Sequence, residues 1–464
     1  MRRSFNSLLV ANRGEIAVRI FRAARELGIR TIAVYSEADK DSLHVQMADH
    51  AVLIGPPQAA KSYLKVDAIL SAAASTGAQA IHPGYGFLSE NADFADAVRS
   101  AGMVFVGPSG DTIRTMGDKA SARQAAMRAG VPVVPGSIGL VNDIANAKHE
   151  ATHIGYPVMI KATAGGGGRG IRVCEDEAAL EQQWPVAQAE ALAAFGNGDA
   201  YLERFIGRAR HIEVQILGDG THTVHLFERE CSLQRRRQKV WEEAPSPSLD
   251  DKTRRALCES AVRLADSVGY SGAGTLEYLY DDATHEFFFI EMNTRIQVEH
   301  PITEAITGVD LVREMISIAA GNPLSIQQSD IAFRGAAIEV RINAEDPAKN
   351  FSPQLGTLGE LVWPGGPGIR VDSLLYSGYK VSPYYDSLLA KLIVSAETRE
   401  AAIARLERAL SEMKLGGLKT TTALHVELAR DEQVRRAQYH TGFLERWLEE
   451  NAGKLLGMSL ETAP

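Results

Sequence analysis

Four consecutive apolar residues, Phe287-Phe288-Phe289-Ile290, run straight into Glu291-Met292-Asn293-Thr294-Arg295-Ile296-Gln297-Val298-Glu299-His300, and this junction constrains the fold more than any other stretch. A solvent-facing strand alternates apolar and polar side chains, so an unbroken apolar run implies a buried strand with the polar residues at the mouth of a core. Continued alternation places Glu291, Asn293 and Arg295 on one face. A second strand, residues 275–280, precedes it across the turn-like Asp281-Asp282-Ala283-Thr284. Paired as a hairpin in even register, the two strands bring Glu277 within about 8 Å of Glu291. Carboxylates that close repel unless a cation lies between them. With Asn293 they form a hard oxygen set suited to Mg²⁺ bridging to phosphate. Arg295 and Glu299 then supply what a small oxyanion substrate and its general base need. The competing reading, a solvated hairpin end, does not account for that Arg and Glu following so closely.

A second constraint is Gly165-Gly166-Gly167-Gly168, held between the strand 156–162 and another at 170–174. Each ordered Gly costs roughly 0.5–1 kcal/mol relative to Ala. A hairpin that carries four has a use for bare backbone, such as wrapping N–H groups around phosphates. Lys161, at the end of its strand, reaches an α- or β-phosphate in such an arrangement.

At 464 residues, 45% hydrophobic and 23% charged, the chain fits about three ordinary globular domains. Its net charge of −9 argues against nucleic acid as a partner. The dense basic run around Arg235-Arg236-Arg237-Gln238-Lys239 is followed at once by Glu242 and Glu243 and has no aromatic series for base stacking, so it reads better as a phosphate or bicarbonate clamp. The uncharged stretch 68–89 is rich in small residues and contains His82-Pro83, which excludes a membrane span. The apolar part behind Met1-Arg2-Arg3 is too short for an export signal. Cys174, Cys231 and Cys258 are odd in number and widely spaced, so core packing in a reducing, cytoplasmic setting is expected.

Along the chain, 7–11, a helix to about Gly28 and 29–35 form a βαβ opening of doubly wound character. It has Gly14 but no G-x-G-x-x-G loop, which argues against a dinucleotide site. Residues 80–87 are a strand end breaking into a Gly/Pro loop, and 103–106 close the first sheet. Ser109 is an expected N-cap, and Val131 to Gly136 an expected boundary. On the strand 211–216, His211, Glu213 and Gln215 share a face that is either functional or solvated. On 338–345, Glu339, Arg341, Asn343 and Glu345 stand opposite Ile338, Val340, Ile342 and Ala344. The helix 398–413 is amphipathic, and the last fifteen or so residues read as a frayed tail.

Several stretches together resemble the biotin carboxylases of the ATP-grasp superfamily, over roughly residues 5–448. They are Ala11-Asn12-Arg13-Gly14-Glu15-Ile16-Ala17, the stretch 82–91, Met116-Gly117-Asp118-Lys119, the glycine run, Glu291 to Pro301, and Arg341 to Asp346. The resemblance implies an α/β fold, α+β in parts. A doubly wound N-terminal domain (1–106) is followed by a helical linker (107–133) and a mobile glycine-loop lid (134–206). The ATP-grasp core and mixed-sheet C-terminal domain (207–448) come next, then the tail (449–464).

The implied activity is ATP- and bicarbonate-dependent carboxylation of biotin on a carrier protein, the first half-reaction of an acyl-CoA carboxylase such as acetyl-CoA carboxylase. Position by position, the resemblance assigns ATP contacts to Lys119, Lys161, Gly165, Gly166, Gly167, Gly168, Leu202, Glu203, His211, Gln234, Glu277 and Glu291. Two Mg²⁺ ions fall to Glu277, Glu291 and Asn293. Bicarbonate falls to Arg295, Gln297, the Val298 backbone and Lys239, with Glu299 as its base. Arg341 is to stabilise the biotin enolate, with Tyr85 and Asp386 near the biotin pocket. A homodimer is implied, working with separate carrier and carboxyltransferase subunits, because Met413-Lys414-Leu415 lies in a helix end and not in a biotinylation motif. Arg237 departs from the family's usual His, and Trp241 replaces a smaller aliphatic residue. Two other readings fit parts of the pattern: a ligase passing carboxyphosphate to an amine, and an ATP-binding sensor without turnover.

Overall fold

The computed structural model describes residues 5–461 apart from 138, 142, 163–170 and 196–199. The chain divides into two compact units. One comprises Met1–Val131, Arg210–Tyr278 and Glu291–Pro464; the other comprises Pro132–Ala209 and Leu279–Ile290.

In the first unit, five parallel strands stand in the order His50–Gly55, Arg30–Ser36, Ser7–Val10, Ala80–His82, Val104–Phe105. Helix Gly14–Glu26 packs Ile16, Ala17, Ile20, Phe21 and Ala24 against this sheet, all but fully buried. Each large apolar side chain so buried stabilises by about 1.5–3 kcal/mol. The strand order reverses between Ser7–Val10 and Ala80–His82, and the crevice beyond the carboxyl ends at such a point is where open α/β sheets hold ligands. Asn12 follows one of these strands and Tyr85 the other. The Asn12 amide donates to the carbonyls of Pro83 (2.8 Å) and Tyr85 (2.7 Å), fixing the loop. Gly84 there has φ +65°, and a Cβ would come 2.8 Å from the Asn12 amide nitrogen, so only glycine lets the loop close on it.

The second sheet has eight strands in the order Phe287–Asn293, Ser271–Asp281, Ala209–Asp219, Thr223–Arg235, Gln238–Ala244, Ala336–Asn343, Leu388–Ala396, Ile369–Ser373. The alternation read at 338–345 is real, but both faces are buried. Ile338, Val340, Leu392 and Val394 meet Leu406, Leu410 and Leu424 on one side. On the other, direct cross-strand partners form a charged row, Glu242 opposite Glu339 and Arg341 opposite Lys391 opposite Asp372. Helices Gly14–Glu26 and His300–Thr307 cover that face. Charges removed from water in this way either pair, as Arg341 does with Glu242 and Lys391 with Glu15, or neutralise, as burial drives the Glu339 carboxyl well above its ordinary range.

The second unit has a three-stranded antiparallel sheet, Ile171–Cys174, Val158–Ala162, Ala200–Arg204, backed by helices Ile144–Ile154 and Glu177–Phe195. Val158, Ile160, Leu180, Trp184 and Leu202 make its core.

Three expectations are corrected. Ile290 is 39% exposed, whereas Phe288 and Phe289 are buried. The run lies on the outermost strand of its sheet, where only part of an apolar stretch finds cover. Arg295 is not on the strand, which ends at Asn293. The expected tail is helical as far as it is described: Phe443–Glu461 is one helix, in which Leu455 is buried as Phe443, Leu444 and Trp447 are before it. Ser109 caps its helix as expected, accepting from the Thr112 N–H at 3.1 Å. Among the described residues no helix is long and apolar enough to cross a membrane.

Candidate functional site

Within the first unit, three neighbouring strands of the larger sheet carry His211, Glu213, Gln234 and Glu277, while Lys239 comes from the strand Gln238–Ala244. Lys239 Nζ donates to Glu277 (3.0 Å), to Glu299 (2.6 Å) and to Glu213. Glu277 also accepts from Asn293 (3.0 Å) and Gln297 (2.8 Å), and His211 Nε2 lies 2.9 Å from its second oxygen. Burial alone pushes the Glu277 carboxyl up, but Lys239 and His211 outweigh it and hold the carboxyl well below its ordinary range. Gln234 holds the other nitrogen of His211 at 2.8 Å. Glu291 behaves oppositely. Its carboxylate makes no ion pair or side-chain hydrogen bond to a described residue, and burial and then Glu277 raise its pKa. Lys119, first residue of the helix Lys119–Arg128, opposes that rise.

After the strand ends at Asn293, a bend carries Arg295, which donates to Asn293 (2.9 Å) and to Glu90 (2.9 Å). Gln297 is gripped from beneath by Arg229, a fully buried guanidinium. Arg229 bonds Gln297 (2.9 Å), Gln215 (2.8 Å), Thr303 (2.9 Å) and Glu213. Replacing Arg229 with methionine leaves Glu213 buried and short of a cation. The expected loss is about 3–5 kcal/mol, read as a lower urea midpoint.

Glu299 closes the constellation. Only 2% exposed, it accepts from Lys239 through one oxygen and from Arg341 Nη2 (3.0 Å) through the other. Burial opposes ionisation, yet Lys239, Arg341 and Arg229 drive its pKa far below the usual carboxylate value. Arg341 Nε meanwhile donates to Glu242 at 2.7 Å. Burial pushes Glu242 up to about 7, against Arg341. Tyr85 donates to Glu15; burial and then Glu15 push its hydroxyl pKa well up, with Arg341 opposing and Asp386 adding to the rise.

The structure thus gathers Tyr85, Lys119, His211, Gln234, Lys239, Glu277, Glu291, Asn293, Arg295, Gln297, Val298, Glu299, Arg341 and Asp386 within one unit. In the other unit, Lys161 pairs with Glu203, and the Leu202 N–H donates to Ser137 Oγ at 3.1 Å. Gly165–Gly168 lie outside the described residues. The basic run is corrected: of its cations only Lys239 enters the site. Arg235 lies over Phe351, 3.9 Å from the ring centroid, while Arg236 and Arg237 form an exposed two-residue turn, both at positive φ. Arg237→His is therefore expected to shift stability by no more than about 0.5 kcal/mol and to leave the KM for ATP unchanged in a steady-state assay. The sequence assigns no role to Arg229 or Glu242 and leaves Glu213 open between function and solvent; the structure buries all three. The signal for Glu213 is its place between His211 and Gln215 on an alternating strand.

The comparisons agree in pattern. Residues 4–113 match the biotin carboxylase N-terminal domain, 118–327 the ATP-binding domain of the carbamoyl-phosphate synthase L chain, and 339–446 the biotin carboxylase C-terminal domain. Biotin carboxylase 1 of Bacillus subtilis (strain 168) is 54% identical over 441 residues, which is 95% of this chain and 98% of that protein. This chain belongs to the biotin carboxylase family. It is accordingly an ATP-grasp ligase. Among other relatives, a pyruvate carboxylase subunit of Methanothermobacter thermautotrophicus is 49% identical over 444 residues, 96% of this chain and 90% of that one. The biotin carboxylase domain dimer of Hydrogenobacter thermophilus 2-oxoglutarate carboxylase, solved with MgADP, ADP and bicarbonate, superposes with a TM-score of 0.86. It is 48% identical, covering 97% of this chain and 98% of that one.

For a biotin carboxylase the donor set fits a hard divalent cation. Glu277 and Glu291 offer carboxylate oxygens, and a cation would offset both the burial that chiefly raises Glu291 and the lesser push from Glu277. Asn293 differs from the expectation in detail: its amide oxygen already accepts from Arg295, and its nitrogen faces Glu277. Its oxygen keeps a second lone pair beside the Arg295 bond.

Proposed function

We propose that the chain catalyses the first half-reaction of an acyl-CoA carboxylase, most plainly acetyl-CoA carboxylase. Bicarbonate attacks the γ-phosphate of ATP to give carboxyphosphate and ADP. Carboxyphosphate breaks down to CO₂ and phosphate; the phosphate takes the N1′ proton of biotin on a carrier protein, and the enolate so left adds CO₂ at N1′. Glu277 and Glu291 with Asn293 would hold Mg²⁺, which would supply positive charge against the phosphates. Lys119, Lys161, Leu202, Glu203, His211 and Gln234 serve the nucleotide. Arg295, Gln297, the Val298 backbone and Lys239 seat bicarbonate, and Glu299 takes its proton. Arg341 stabilises the enolate of biotin beside Tyr85 and Asp386. Such a transfer needs positioning and charge, not a covalent nucleophile.

The observation that carries this reading is Glu299 held between Lys239 and Arg341. So held, the carboxylate is a weak base. An anionic substrate that draws either cation to itself raises the proton affinity of Glu299 toward the working range, so base strength arrives with the substrate. The Hydrogenobacter neighbour, a dimer with MgADP and bicarbonate, supports the nucleotide, metal and homodimer assignments. Carrier and carboxyltransferase subunits are the partners, in a cytoplasmic setting.

Bicarbonate- and Mg²⁺-dependent ADP release, stimulated by free biotin, is the expected result. Transfer to an amine without biotin selects the carbamoyl-type ligase, and tight ATP binding without turnover selects the sensor. Reconstitution with carrier and transferase decides the acceptor. Malonyl-CoA is expected; oxaloacetate from pyruvate would instead align the chain with its Methanothermobacter relative.

A further inference from the structure

Beneath the Gln297–Glu299 turn lies a cation to which neither the activity nor the site residues above give a task. Lys391, on the strand Leu388–Ala396, is fully buried and stands directly opposite Arg341. Its ammonium donates to the Val298 carbonyl at 2.9 Å and pairs with Glu15 Oε1 at 3.1 Å. That same Glu15 oxygen accepts from the Tyr85 hydroxyl. One hydrogen-bonded chain thus runs Tyr85–Glu15–Lys391–Val298, from the loop beside the switch point to the turn that carries Glu299. Glu339 and Asp372 face Lys391 on the same sheet surface, and both oxygens of Glu339 lack a hydrogen-bond partner among the described residues. A buried ammonium costs several kcal/mol of desolvation, far more than packing alone repays. A hydrophobic side chain of similar length would fill the space more cheaply. What it could not do is hold the Val298 peptide.

We propose that Lys391 is a positioning residue. By gripping the Val298 carbonyl it fixes the Val298–Glu299 peptide plane, and so anchors the turn that presents the Val298 N–H on one side and the Glu299 carboxylate on the other to bicarbonate, and Glu15 ties this setting to the biotin-side Tyr85. The inference rests on the bicarbonate role given above to the turn.

Three variants of the full chain test it: Lys391→Met, Lys391→Gln and Glu15→Gln. Lys391→Met is expected to raise the KM for bicarbonate about tenfold, the scale of one misdirected hydrogen bond to an anion, while the KM for ATP stays within about twofold. Lys391→Gln keeps a donor and is expected to recover most of that loss. Glu15→Gln keeps an acceptor for both neighbours but loses the charge, and is expected to raise the KM for both bicarbonate and biotin. A merely structural lysine would lower the active fraction and leave every KM alone. Unchanged bicarbonate KM in folded variants, or equal shifts for ATP and bicarbonate, overturns the proposal. Should neither Lys391 variant fold, Glu15→Gln decides: a raised bicarbonate KM supports the link and an unchanged one refutes it. Failure of the underlying reading is distinguishable, because wild type would then show no bicarbonate-dependent ADP release at all.

Discussion

Arg341→Ala is expected to slow biotin carboxylation by about 10²-fold or more, the scale of losing one oxyanion donor, while bicarbonate-dependent ATP hydrolysis falls far less. The asymmetry follows from its contacts. Arg341 divides its guanidinium between Glu242 and Glu299. Without it Glu299 still has Lys239 and Arg229 to keep it ionised, so the earlier step retains its base. Glu242, at about 7 with Arg341 present, rises further and stays protonated through neutral pH. The acid limb of the ATPase profile should move upward, because one of the cations depressing Glu299 is gone. Parallel assays of ADP release and carboxybiotin check this, and equal losses in both would remove Arg341 from the biotin step.

Glu299→Gln is expected to cost both assays alike, by about 10²–10⁴-fold, the usual worth of a positioned general base. The amide cannot take a proton, and it leaves Lys239 and Arg341 facing each other without a full countercharge. A stability consequence follows with a definite sign. The folded pKa of Glu299 is lowered, so its contribution is present above the unfolded value of about 4.3 and is lost as pH falls toward the folded one. The wild-type advantage in Tm over Glu299→Gln should therefore be full at neutral pH and shrink under acid. A variant that retains ATP hydrolysis would show that another group removes the proton.

Much of this site was legible because its residues cluster in sequence. Glu291 to His300 spans one strand end and one turn, and strand alternation alone related Glu277 to Glu291 and Asn293. Four strands of the parallel sheet followed from apolar runs and a helical period, while the edge strand His50–Gly55, largely exposed, went unread. What the sequence hid is what lies far apart along it. Arg229 grips Gln297 across 68 positions, and Arg341 reaches Glu242 across 99. No local period encodes such pairs; the sheet order creates them. Ile290 and Arg295 failed for a related reason. Alternation says which residues share a face, but not whether that face is covered, nor where the strand stops. The helix beyond Glu450 was hidden by Gly453 and Gly457, weak helix formers that interrupt its apolar positions.

The most direct test of the chemistry assigned to Arg295, Gln297 and Glu299 is the fate of oxygen from bicarbonate. With [¹⁸O]bicarbonate and unlabelled water, single-turnover ATP cleavage should deposit one labelled oxygen in the phosphate released, since the attacking oxygen stays on phosphorus when carboxyphosphate breaks down. Phosphate free of label would mean that water attacks ATP, and that the turn beside Glu299 does not present bicarbonate to it.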